Sequence, residues 1–184
     1  MRIIGGMWKK SVLHFPDIDG LRPTPDRVRE TLFNWLGQDL TGLTCLDLYA
    51  GSGALGFEAA SRGAARVVLM ERDAGAVRAL RANAARLSAA SLEIGMGDAM
   101  AYVSGAKERF DVVFLDPPFR QNVLPDVLAR LPNVLDPGSR VYVEAAEPHE
   151  AGRGWRELKR SRAGAVSYQL LEWNDDHSGL PGDI

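Results

Sequence analysis

Leu46-Asp47-Leu48-Tyr49-Ala50-Gly51-Ser52-Gly53-Ala54-Leu55-Gly56 is the stretch on which the fold turns. Residues 43–49 form a short apolar run of strand length, and residues 54–62 read as a helix, so the glycines between them occupy a strand-to-helix turn. Their spacing is G-x-G-x-x-G, and Glu71 follows about twenty residues after Gly51, the pattern that seats a nucleotide-bearing ligand at a helix N-terminus. Downstream the same alternation continues. Strands are expected over residues 66–70, 92–94, 110–115 and 140–145, and helices over 74–87, 99–103 and 123–131. The segments 155–162 and 166–173 are separated only by Ala163-Gly164-Ala165, too few residues for a crossover helix, and read as an antiparallel hairpin. Upstream, Thr24-Pro25-Asp26 opens a helix over residues 24–36, with Thr24 as the N-cap, proline in the first turn and an acid at the positive end of the dipole. Val28, Leu32, Trp35 and Leu36 give that helix one apolar face and Gly37 ends it. Five parallel strands plus a terminal hairpin describe an α/β, doubly wound, Rossmann-like sheet of seven strands, mostly parallel, with one reversed edge strand.

The chain of 184 residues is 46% hydrophobic, enough for one packed core. A single domain over residues 1–174 is expected, made of a basic arm or hairpin at 1–20, the helix at 24–36 and a core at 43–174. Residues 175–184 are polar and expected to be disordered. No apolar run reaches the roughly 18 residues of a membrane span, and the amino terminus does not read as a secretory signal, which points to the cytoplasm. Cys45 sits among Leu43, Leu46 and Leu48 as a small core residue. The three histidines, His14, His149 and His177, show no ligand spacing. A net charge of −2 excludes a general nucleic-acid coat. Locally, however, Arg2, Lys9 and Lys10 occur without a carboxylate before Phe15, and Arg22, Arg27 and Arg29 follow, either as a small phosphate-contacting patch or as a solvated face. Trp8 in the arm either stacks on a bound partner or simply packs.

The glycine pattern alone fits both NAD and S-adenosylmethionine. Charge favours the second, because a dinucleotide brings a pyrophosphate to the turn whereas S-adenosylmethionine brings a sulfonium and an ammonium. Asp47 closes the first strand, and no lysine or arginine occurs between Leu46 and Ser61. Glu71, Asp98 and Asp116 follow the next three strands, so all four acids are expected at the carboxyl ends of a parallel sheet, where such folds bind ligands. In this reading Asp47 and the loop backbone face the methionine part, Glu71 accepts from the ribose hydroxyls, and Asp98 accepts from the adenine amino group. The competing role for each acid is a helix cap or a surface carboxylate.

Asp116-Pro117-Pro118-Phe119 follows the apolar strand Val112-Val113-Phe114-Leu115. Two prolines fix the backbone and free their carbonyls from sheet pairing. Asp116 and the Pro117 carbonyl can accept both hydrogens of a base amino group while Phe119 stacks on the base. That arrangement aims the amino lone pair, otherwise delocalised into the ring, at a methyl donor, and in-line displacement then needs no metal. The corner does not name the base, so N6 of adenine and N4 of cytosine, in DNA or RNA, stand beside N2 of guanine. An NAD-dependent oxidoreductase and a non-catalytic RNA-binding module remain as other classes.

Three blocks together resemble the RsmD family of bacterial 16S ribosomal RNA guanine-N2 methyltransferases: residues 46–53, residues 116–119, and Arg22-Pro23-Thr24-Pro25-Asp26-Arg27-Val28-Arg29-Glu30-Thr31-Leu32-Phe33-Asn34. The resemblance extends from Arg2-Ile3-Ile4-Gly5-Gly6 to about Trp173. It implies a class I S-adenosylmethionine-dependent methyltransferase fold, with a target-base site at Asp116, Pro117, Pro118 and Phe119. It also implies a cofactor site at Asp47, Tyr49, Ala50, Gly51, Gly53, Glu71, Arg72, Asp98 and Ala99, with Thr24 near the methionine carboxylate at a helix N-terminus. Arg2, Lys9, Lys10, Arg22 and Arg27 would hold RNA phosphates. The implied partner is 16S ribosomal RNA. So modest a basic patch predicts weak affinity for naked RNA, which favours the small ribosomal subunit or an assembly intermediate as substrate, bound by a monomer.

Overall fold

The computed structural model describes residues 1–17, 23–118 and 122–175. Arg22, Phe119, His177 and the expected tail beyond Asp175 lie outside the described residues. Helix α1 (Asp26–Leu36) is followed by β1 (Thr44–Asp47), α2 (Ala54–Ser61), β2 (Arg66–Glu71), α3 (Ala74–Arg86), β3 (Leu92–Met96), α4 (Ala99–Gly105) and β4 (Phe110–Leu115). Then come α5 (Leu124–Arg130), a 3₁₀ turn (Leu131–Val134), β5 (Leu135–Ala145), β6 (Trp155–Ala163) and β7 (Val166–Trp173). The strands form one seven-stranded sheet in the order β3-β2-β1-β4-β5-β7-β6, parallel from β3 to β5 and antiparallel at β7. The strand order reverses between β1 and β4, so the crevice beyond their carboxyl ends is where this topology places a ligand.

Two apolar layers hold the sheet. On one face Leu32 and Phe33 of α1, Leu55 and Phe57 of α2 and Leu80 of α3 pack on Cys45, Leu69, Phe114 and Tyr142. On the other, Val103 of α4 and Val127 and Leu128 of α5 pack on Leu46, Val68, Val113 and Val141. No helix among the described residues is long and apolar enough to cross a membrane.

The structure departs from the sequence reading in four places. The reversed strand is not at the edge: β7 inserts between β5 and β6. Its residues Ser167 to Leu171 are all buried, whereas β6 exposes Arg156, Glu157, Lys159, Arg160 and Arg162. A charged strand protects an open edge and an apolar one fills an interior position. Thr24 does not cap α1; Pro25 holds the cap position with no side-chain bond, and Thr24 is buried. β5 begins earlier than expected because a bulge lets Leu135 pair with Phe110 before the register resumes at Arg140. Arg29 is no surface cation. It is fully buried, donating to the Thr24 and Arg2 carbonyls at 3.2 and 3.0 Å and to Glu58 at 3.2 Å, with Asp26 as a further partner.

Glu58 completes that anchor. It accepts from the backbone N–H groups of Ile4 and Gly5 and from Arg62, so α2 fixes the arm as well as the glycine turn. The arm closes on itself through Ile3 N–H to the Ser11 carbonyl (2.9 Å) and Leu13 N–H to the Met1 carbonyl (2.8 Å). Gly6 is obligatory at its turn, since its φ is +74° and a Cβ there would fall 1.8 Å from the Ser61 carbonyl oxygen. Trp8 is half-buried against the core, while Arg2, Lys9, Lys10 and Arg27 are exposed.

Candidate active site

Strand register decides which side chains share the crevice. Leu69, Asp47, Phe114 and Tyr142 stand in one row across β2, β1, β4 and β5. Side chains alternate along a strand, so the residues two positions on, Glu71, Asp116 and Glu144, face the same side of the sheet as Asp47. The fold thus lines up four carboxylates on the face covered by α1 and α2.

Each is held differently. Asp47 is buried and accepts the Gly56 N–H at 2.9 Å; desolvation pushes its pKa up to about 7, with the charge of Glu71 adding to the rise. Glu71 accepts three backbone N–H groups, from Gly51 at 2.9 Å and from Arg72 and Asp73 at 2.8 Å, and so ties the glycine turn to the end of β2. Asp116 lies well above the usual carboxylate range because burial disfavours its charge and Glu144 and Asp47 repel it. Glu144 is raised by desolvation, against which the hydroxyls of Tyr142, at 2.8 Å, and Thr24 act as donors. A buried charge ordinarily has a counterion or gives up its charge. Asp47, Asp116 and Glu144 depart upward together, foremost through desolvation, so an entering cation would lower all three.

The glycine turn shapes the floor. Gly51 and Gly53 have φ of +53° and +81°, and a Cβ on Gly53 would lie 2.6 Å from Leu80 Cδ2 and 2.7 Å from Phe57 Cδ2. Ala50 is buried and its N–H bonds to the Met70 carbonyl at 2.9 Å, holding β1 against β2 as the turn begins. Tyr49 is half-buried, its hydroxyl raised by burial and by Asp98 and lowered by Arg72, which puts all three at the same lip. Asp98 caps α4 through the Ala101 N–H at 2.9 Å, as the helix-cap alternative anticipated, and Ala99 is buried behind it. Pro117 is buried and Pro118 exposed where β4 leaves the sheet.

Sequence reasoning missed Glu144. The signal was available, an acid near the end of the apolar run Val141-Tyr142-Val143, at the same point of its strand as Asp47 and Glu71. Sequence order alone does not put it beside Asp116, 28 positions away, and only the β4–β5 register does.

Fold and crevice together are those of a class I S-adenosylmethionine-dependent methyltransferase. The family described as Conserved hypothetical protein 95 matches residues 1–172, and Ribosomal RNA small subunit methyltransferase D of Escherichia coli strain K12 is 40% identical over 177 residues, 94% of this chain and 89% of that protein. The chain belongs to this family, the RsmD family. Among solved structures, the Escherichia coli methyltransferase yhhF is 39% identical with a TM-score of 0.87, covering 95% of this chain and 98% of its own. An RNA methyltransferase from Salinibacter ruber, solved with S-adenosyl-L-homocysteine, is 25% identical with a TM-score of 0.61, covering 88% and 98%.

Proposed function

We propose that this chain transfers a methyl group from S-adenosylmethionine to the exocyclic N2 amino group of a guanine in 16S ribosomal RNA. The substrate is the small ribosomal subunit or an assembly intermediate, and the protein acts as a cytoplasmic monomer of one domain. The observation that carries the reading is the set of carboxylates, Asp47, Glu71, Asp116 and Glu144, that share one face of the sheet beside the Asp-Pro-Pro corner. S-adenosylmethionine, when bound, supplies a methyl carbon on a sulfonium sulfur that keeps the electron pair as the carbon leaves. Asp47 and the Gly51–Gly53 backbone receive the cationic methionine end, Glu71 the ribose hydroxyls and Asp98 the adenine amino group, with Tyr49, Ala50, Arg72 and Ala99 around them. The amides at the start of α1, beside Thr24, would receive the methionine carboxylate.

Asp116 and the Pro117 carbonyl hold the two amino hydrogens and aim the nitrogen lone pair, an alignment that can supply about 7–11 kcal/mol of the barrier. As the new N–C bond forms, Asp116 takes the proton the nitrogen sheds. Desolvation, and then the charges of Glu144 and Asp47, raise its proton affinity for that purpose. Arg2, Lys9, Lys10 and Arg27, with Arg22, contact RNA phosphates.

The test is nucleoside mass spectrometry of ribosomal RNA from cells lacking the gene, complemented with wild type or Asp116→Ala. Wild type should restore one N2-methylguanosine and Asp116→Ala should not, while binding S-adenosylhomocysteine within about threefold of wild type. Label appearing in N6-methyladenosine, or no deficit in the deleted strain, overturns the guanine assignment.

A further inference from the structure

Glu144 enters the transfer described above only through its charge, which adds to the proton affinity of Asp116, yet it is built into the target corner. Leu115 pairs with Val143, so Asp116 and Glu144 are the next positions on adjacent parallel strands and face the same side. Glu144 is buried, with 6% of the residue's surface exposed, and both of its named partners, Tyr142 and Thr24, bring hydroxyls rather than positive charge. Two adjacent acceptors, one of them already assigned to an amino group, match a ligand edge with two adjacent donors.

Among the bases only guanine has that edge beside its amino group, because N1 carries a hydrogen next to N2. In adenine the ring nitrogen beside N6 is a bare acceptor, as is N3 beside N4 in cytosine, and a carboxylate repels both lone pairs. We propose that Glu144 accepts the N1–H of the target guanine while Asp116 accepts from its N2 amino group, making Glu144 the residue that selects guanine over adenine and cytosine. The inference rests on the functional reading above and adds the source of its base specificity.

The experiment uses the full chain and small-subunit particles carrying, at the mapped target position, either guanosine or 2-aminopurine riboside. 2-Aminopurine keeps the N2 amino group but has a bare N1. Wild type should prefer guanosine by about 100-fold or more in kcat/KM, as a site built around a donor rejects the analogue lacking it. In Glu144→Gln an amide NH2 is available to the bare N1, and the guanosine-to-2-aminopurine ratio should shrink by at least about tenfold. 2-Aminopurine also lacks O6, but that loss is common to both enzymes, so the change in the ratio reports on N1. An unchanged ratio in Glu144→Gln, with both substrates slowed alike, overturns the assignment and leaves Glu144 as a support for Tyr142 and Thr24. Equal rates on the two nucleotides with wild type overturn it whether or not the variant folds. Absence of transfer to guanosine by wild type instead defeats the underlying guanine reading, a distinct result.

Discussion

Asp47 is the residue at which stability and ligand binding should pull in opposite directions. Its carboxyl is buried, accepts one N–H from Gly56, and is pushed by desolvation from the ordinary 3.8 up to about 7. Such a displacement corresponds to a charging cost of the order of 4 kcal/mol. The folded-state value lies above the open-chain one, so between about pH 4 and pH 7 the folded chain keeps a proton that the unfolded chain has lost. Stability of the ligand-free protein therefore falls as pH rises through that window, by up to about 1.4 kcal/mol per unit, and does not recover above it. Asp47→Asn retains an oxygen for the Gly56 N–H but carries no charge. At pH 8 it should melt higher than wild type, and recovery of only 1–2 kcal/mol gives about 2–8 °C for a chain of this size. At pH 4 and below the two proteins should melt within about 2 °C of each other, because the wild-type proton is then held in both states. The same variant should bind S-adenosylmethionine at least about tenfold more weakly at pH 7.5, having lost the charge that faces the cation. In wild type, calorimetry between pH 5.5 and 7 should show up to about one proton released on binding, with affinity rising as much as tenfold per unit. If Asp47→Asn melts no higher at pH 8 and binds S-adenosylmethionine as tightly as wild type, the argument from a frustrated charge is wrong.

Arg29→Met removes the buried guanidinium that links Thr24, Arg2 and Glu58; the loss should cost about 3–5 kcal/mol and lower Tm by about 6–20 °C in a circular-dichroism melt. A drop below 2 °C would mean that the arm is held without it. Gly53→Ala combines positive φ with a Cβ against Leu80 and Phe57, so a cost of about 1–3 kcal/mol by urea titration is expected together with weakened S-adenosylhomocysteine binding. Wild-type stability in this variant would show the turn to be more compliant than its geometry. Cys45 is fully buried and its thiol is pushed up to about 12, foremost by desolvation and then by Asp111 and Asp47, so maleimide at pH 8 should label it only as fast as the chain unfolds. Rapid labelling of the folded protein would show that β1 is open to solvent.

Much of this protein was legible from local pattern. The run from Leu46 to Gly56 demands a strand, a turn with left-handed glycines and a helix, and those demands concern consecutive residues. Phe110 to Leu115 reads as a central strand, and Asp116-Pro117-Pro118 as its exit. The chain alternation therefore specified the parallel sheet. Hairpin and parallel strands could be told apart because Ala163-Gly164-Ala165 leaves no room for a crossover.

What the sequence could not order was set by partners distant along the chain. Arg29 reads as one more surface cation until Glu58, 29 positions away, and two backbone carbonyls enclose it. β7 takes an interior place and β6 the edge because burial of Tyr168, Leu170 and Leu171 on a completed sheet outweighs chain order. Thr24 does not hold its expected cap, and its hydroxyl serves Glu144 instead. Glu144 meets Asp116 only through register, and the raised proton affinities of both exist only once the sheet has closed over them. Sequence by itself determined the order of elements, the glycine turn and the chemical types along the crevice, since each depends on backbone preferences of neighbouring residues. Tertiary structure alone decided which carboxylates share a face and how far they are desolvated, because Coulomb repulsion and loss of water depend on distances that no local preference encodes.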